Sequence, residues 1–141
     1  MARIKLKLPE HFSYSTEIII RIDDINYGGH LGNDSVLSIM HEARIRYLKE
    51  YEVSELKFGK AGLIMADTVI VYKSEGFHQD VIKVEVTATD FSKFGFDIYY
   101  KLVNKSTDKD LAHAKTGMVC YDYEKKKIVL LDETMKEKMS L

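Results

Sequence analysis

The chain has 141 residues, 45% of them apolar and 30% charged, which suits one globular domain and argues against disorder. Lys+Arg total 21 and Asp+Glu 22, a net charge of −1, so global charge gives no reason to expect nucleic-acid or anionic-membrane binding. One cysteine, Cys120, rules out an internal disulfide and a cysteine-rich zinc site, and no apolar run exceeds four residues, too few for a membrane-spanning helix.

The N-terminal residues MARIKLKLPEHFS lack an apolar core, so no secretory signal is expected and a reduced cytoplasmic setting is the default. With one proline and no Gly/Ser-rich tract, residues 1–141 read as a single domain. Ser13 to Asp23 alternates, with Thr16, Ile18, Ile20 and Ile22 on one face, and predicts a strand. A loop of turn residues follows, Asp24 to Gly32. The period then becomes helical. Val36, Met40, Ala43, Tyr47 and Tyr51 form a stripe that Leu37 and Leu48 widen, and Asn33, Asp34 or Ser35 is expected as N-cap.

Beyond the helix the chain predicts strands over Leu63–Ser74, Val81–Thr89, Phe94–Leu102 and Leu111–Tyr123. A short edge strand over Lys127–Leu131 and a frayed helix over Glu133–Met139 complete it. The connections are hairpin-length, which favours antiparallel pairing. One helix of about 18 residues is best buried by wrapping the sheet around it. The expected class is therefore α+β, an antiparallel sheet of five or more strands around one long central helix.

Chemistry concentrates in the loop before that helix. Asp24, Asn26, Tyr27, Gly28, Gly29, His30, Gly32, Asn33 and Asp34 bring three glycines, an imidazole, carboxylates and amides to a helix start. Glycines allow close approach of a ligand to the backbone. Free N–H groups at a helix N-terminus suit a developing oxyanion. A glycine-rich turn with an N-cap would look the same.

The pattern Asp24-x-Asn26-x-Gly28-Gly29-His30-x-Gly32-Asn33, followed by Glu42-Ala43-Arg44, resembles the signature of 4-hydroxybenzoyl-CoA thioesterase-like hotdog proteins, and the likeness runs from about Ser15 to Tyr123. The resemblance implies a hotdog fold and hydrolysis of acyl-CoA or another acyl thioester. Coenzyme A would enter as part of the substrate, with no separate cofactor. It also implies a homodimer or homotetramer with sites between subunits. The thioester carbonyl would be held by backbone N–H in the Gly32–Asn33 region.

The family carboxylate falls on Asn26, and a neutral amide cannot accept a proton at neutral pH. Either another group is the base, with His30 and Asp24 favoured over Asp34, Glu42 and Asp67, or the protein binds an acyl-CoA or acyl carrier protein without hydrolysing it. Asn26 would then position thioester or water. Tyr27, Gly28, Gly29 and Asp67 are the expected substrate contacts. Lys93 is favoured over Lys60 and Lys73 for the nucleotide phosphates. Phe91, Phe94, Phe96 and Tyr99 could line an acyl pocket or simply pack. His41, His113 and Cys120 read as packing residues, Glu42 and Arg44 as a structural ion pair, and no metal site is expected.

Overall fold

The computed structural model describes residues 3–140. Six strands form one antiparallel sheet: β1 (Tyr14–Ile19), β2 (Gly62–Tyr72), β3 (Val81–Thr89), β4 (Gly95–Asn104), β5 (Lys109–Asp122) and β6 (Lys127–Ile128). Helix α1 (Asn33–Glu50) lies between β1 and β2 in the chain, and α2 (Glu133–Met139) ends the described chain. The sheet order is β1-β3-β4-β5-β2, with β6 pairing the end of β5, so β1 and β2 are the edges.

Alternation decides what the sheet wraps. On β3 and β4 the residues Ile82, Val84, Val86, Phe96, Ile98, Tyr100 and Leu102 are buried towards the helix. Their neighbours Glu85, Asp97, Tyr99 and Lys101 stay half-exposed on the outer face. The α1 face that meets them carries Val36, Ile39, Met40, Ala43, Tyr47 and Leu48. One apolar cluster therefore fills the space between helix and sheet, which is the hotdog arrangement.

Several local expectations change. The first strand ends at Ile19, and Ile22 sits exposed in a 3-10 turn over Ile22–Asp24. Its apolar alternation continued past the point where the backbone turned. Leu37 is exposed rather than part of the buried stripe, and Ile39 takes that place. The N-cap of α1 is Gly32, with extended φ −71° and ψ 149°, and no side chain caps it. Its carbonyl already accepts from the Ser35 and Val36 N–H groups, so Asn33, Asp34 and Ser35 are all inside the helix. Helix α2 is anchored, not frayed. Asp132 accepts from the Thr134 N–H, and Met135 and Met139 are buried.

Two glycines are required by geometry. Gly29 adopts φ +90° in the loop before α1. At Gly95 a Cβ would run into the Met118 carbonyl on the neighbouring strand β5.

Candidate active site

The loop between β1 and α1 is built by its own side chains. Asn26 accepts from the Gly28 N–H at 3.0 Å and from the His30 N–H at 3.5 Å, an Asx-type turn that closes the loop. The Asn26 N–H donates to the His30 carbonyl at 2.9 Å. Asp24 accepts from the Arg21 N–H at 2.8 Å and so braces the 3-10 turn. The Asn26 Oδ1 and one Asp24 oxygen thus hold backbone. Tyr27 stands fully exposed at the loop tip beside exposed Gly28 and Gly29.

The helix start is where donors remain. The Gly32 N–H, expected among them, donates to the Asp24 carbonyl at 3.0 Å. Among the described residues, no protein acceptor takes the N–H of Asn33 or Asp34. Those two groups carry the positive end of the helix dipole. Asn33 lines a cleft of about 260 Å³ with His30, Val36, Tyr72, Lys73 and Glu75. The His30 Nδ1 faces the Leu31 carbonyl at 3.3 Å, and its Nε2 is 4.0 Å from Glu75. The Tyr72 hydroxyl donates to the Asn33 carbonyl at 3.3 Å, and burial together with the nearby Asp34 charge raises its pKa.

Other expected contacts lie elsewhere in the protomer. Asp67 is on the outer sheet face, 2.9 Å from the Lys115 ammonium and accepting from the Gly117 N–H. The Lys115 bond holds its carboxyl below the usual range. Lys93 sits at the start of the β4 turn with its ammonium 5.6 Å from the Phe94 ring centre, and its carbonyl accepts from the Leu131 N–H. The four aromatic residues do not share one wall. Phe91 and Phe96 stack at 5.3 Å within the core, Phe94 is exposed, and Tyr99 faces outwards towards Asp90.

The helix carries a second polar assembly. Arg44 is almost fully buried and pairs with Glu55, not Glu42, at 3.1 Å. Glu42 pairs with Arg46 one turn on, at 2.7 Å. A second Arg44 nitrogen donates to the Tyr100 hydroxyl at 3.1 Å, and Tyr100 is 2.7 Å from the Thr116 hydroxyl. Burial works to lower the Arg44 pKa, but Tyr100 and Glu55 outweigh it and the net direction is upward. The free Glu55 oxygen is 3.0 Å from His41 Nε2. The only hint in sequence was the position of Arg44 beside Ala43 on the buried stripe. Among the described residues no group of side chains is arranged to hold a metal, and no helix is long and apolar enough to cross a membrane.

Residues 20–139 match the thioesterase-like superfamily, and the chain belongs to it. No curated protein matches the sequence. Among solved structures, the chain is similar to a 1,4-dihydroxy-2-naphthoyl-CoA thioesterase from Synechocystis, at 21% identity and a TM-score of 0.81, covering 90% of this chain and 95% of that one. It is also similar to a probable thioesterase from Escherichia coli, at 17% identity and a TM-score of 0.75, covering 91% and 96%. At these identities the likeness establishes a shared fold.

Proposed function

We propose that the protein hydrolyses an acyl thioester of coenzyme A to the carboxylic acid and free thiol, working as a homodimer or homotetramer. The observation that carries this is the pair of unclaimed N–H groups on Asn33 and Asp34 at the start of α1, where Asn33 lines the Tyr72 cleft. Attack of water on a thioester carbonyl turns its oxygen into an oxyanion, and two preorganised donors beside a helix dipole stabilise that charge more than the neutral ground state. Membership of the thioesterase-like superfamily supports the same reaction class. His30 and Tyr72 wall the cleft, and the Asn26 amide keeps the loop closed around it.

The second reading, a binder of acyl-CoA or acyl carrier protein without turnover, is favoured by Asn26. The position holds an amide, which is no proton acceptor, and its oxygen is bonded to loop backbone. A panel of short, long and aryl acyl-CoAs with a free-thiol readout separates the two. Asn33→Pro is the pointed variant. Proline fits the first helical position but has no N–H. Loss of one such donor should lower kcat about 10²–10³-fold. Saturable binding by the wild type without thiol release would overturn the hydrolase reading.

A further inference from the structure

We infer that His41, oriented by Glu55, is the proton acceptor of the hydrolysis and serves a thioester held at the α1 N-terminus of a second copy of the chain. The inference rests on the hydrolase reading above. Its basis is a chain of bonds running from the core to one imidazole. Thr116, Tyr100, Arg44 and Glu55 are linked in sequence by contacts of 2.7, 3.1 and 3.1 Å, and Glu55 meets His41 Nε2 at 3.0 Å. A carboxylate only accepts, so the imidazole donates through Nε2 and keeps its lone pair on Nδ1. Among the described residues no protein atom bonds that Nδ1. A base held by a carboxylate, with its other nitrogen free, is the arrangement general-base catalysis needs.

His41 opens into a groove of about 590 Å³ between α1 and the edge strand β2, walled by Leu37, Leu63, Ile64 and Met65. Of the loop side chains, His30 comes nearest, but its Nε2 is 4.0 Å from Glu75, beyond hydrogen-bond distance, and its Nδ1 faces the Leu31 carbonyl, so no carboxylate holds it as Glu55 holds His41. Asn26 and Asp24 hold backbone. Asp34 has no orienting partner among the described residues, and a carboxylate next to the oxyanion donors opposes the charge they must stabilise.

Distance then requires a partner. His41 is seven or eight residues along α1 from Asp34 and Asn33, about 10–12 Å at the helical rise. Within one protomer the cleft at Asn33 and the groove at His41 share no lining residue, so its own donors and base open into different cavities. Asp34, Leu37 and His41 fall on one helix face at i, i+3 and i+7. Leu37, midway between the donors and the base, is 38% exposed, and Met65 on the unpaired edge strand is 42% exposed. A twofold axis passing at Leu37 covers both residues and sets each helix start against His41 of the partner subunit.

In the step itself, water oxygen bonds to the carbonyl carbon and His41 Nδ1 takes the water proton. The tetrahedral intermediate collapses by breaking the C–S bond. The thiolate leaves with that proton, giving acid and free thiol.

Thiol release is measured for the wild type, His41→Ala and His41→Gln. His41→Gln keeps a donor towards Glu55, so the buried network survives. Both His41 variants should lose about 10²–10⁴ in kcat with KM little changed. Co-expressed Asn33→Pro and His41→Ala chains, isolated as mixed oligomers by two tags, should regain roughly half the wild-type rate, since one site of two is intact. His41 variants as active as a working wild type would overturn this assignment and leave the hydrolase reading standing. Mixed oligomers no more active than their parents would overturn the shared site. A wild type that releases no thiol sinks both.

Discussion

The Tyr72 hydroxyl at the end of β2 donates to the carbonyl of Asn33 in the first turn of α1, at 3.3 Å. That carbonyl belongs to the same peptide unit as the Asp34 N–H. A bond to the oxygen polarises the unit and makes the N–H a stronger donor. In the proposed hydrolysis Tyr72 is a positioning residue, joining the sheet edge to the peptide that carries the Asp34 N–H. Tyr72→Phe should lower kcat roughly two- to fivefold, equivalent to about 0.5–1 kcal/mol of barrier. Its KM and melting temperature should stay close to wild type. A shift in KM alone would place Tyr72 in binding instead.

Asn26→Asp tests the loop without dismantling it. A carboxylate accepts the same two N–H bonds that the amide oxygen accepts from Gly28 and His30. The variant should fold with unchanged melting temperature. If the base lies on α1, its kcat should stay within a few-fold of wild type. A large gain in turnover would show that the loop position can take over the role.

Gly95 should be intolerant of any side chain. A Cβ there meets the backbone carbonyl of Met118 on the adjacent strand, and no rotamer change relieves a backbone contact. Gly95→Ala should cost about 1–3 kcal/mol or more, read as a lowered midpoint in urea unfolding. Gly29→Ala, at φ +90° but with nothing within 4 Å of its Cβ, isolates the conformational cost alone and should cost less.

The outer face carries two carboxylates with opposite effects on acid stability. The Lys115 hydrogen bond lowers the Asp67 pKa, whereas burial raises that of Asp97. Asp67 therefore contributes stability above the ordinary carboxylate value of about 3.9, and that contribution is lost as pH falls through its lower folded value. Asp97 has the reverse sign. Its charged form is disfavoured in the fold, so stability falls as pH rises through its raised value. At pH 7 Asp67→Asn should lower and Asp97→Asn should raise the stability, each within about 1 kcal/mol because the groups are partly solvated. Melting curves at pH 7 and pH 3 check the signs, and the Asp67→Asn deficit should shrink at the lower pH.

Cys120 is buried on β5, and its thiol is pushed up to about 11 by burial and then by the Asp132 charge. The thiolate is the reactive form. Folded protein at pH 8 should react with Ellman's reagent far more slowly than protein unfolded in guanidinium. Equal rates would show that the region around β6 opens readily.

Much of the architecture was legible in the chain itself. Val81–Thr89 matches its predicted bounds because period-2 burial extends along the whole strand. The long helix is marked by its stripe of Val36, Met40, Ala43, Tyr47 and Leu48. The loop of glycines, His30 and Asn33 identified the end of the helix that keeps free donors, since the first N–H groups of any helix lack internal partners. What the sequence by itself determined was therefore the set of elements, the wrapped sheet and the polar mouth of α1.

Only the tertiary structure decided which groups at that mouth are free. Gly32 spends its N–H on Asp24, and Asn26 spends its amide oxygen on the loop, bonds set by backbone paths that no periodicity encodes. The pairing of Arg44 with Glu55, the link from Glu55 to His41 and the placement of Tyr72 over Asn33 join residues 11 to 39 positions apart. Such contacts depend on how the helix seats against the sheet, and that is fixed by packing of the whole core rather than by any local run of residues.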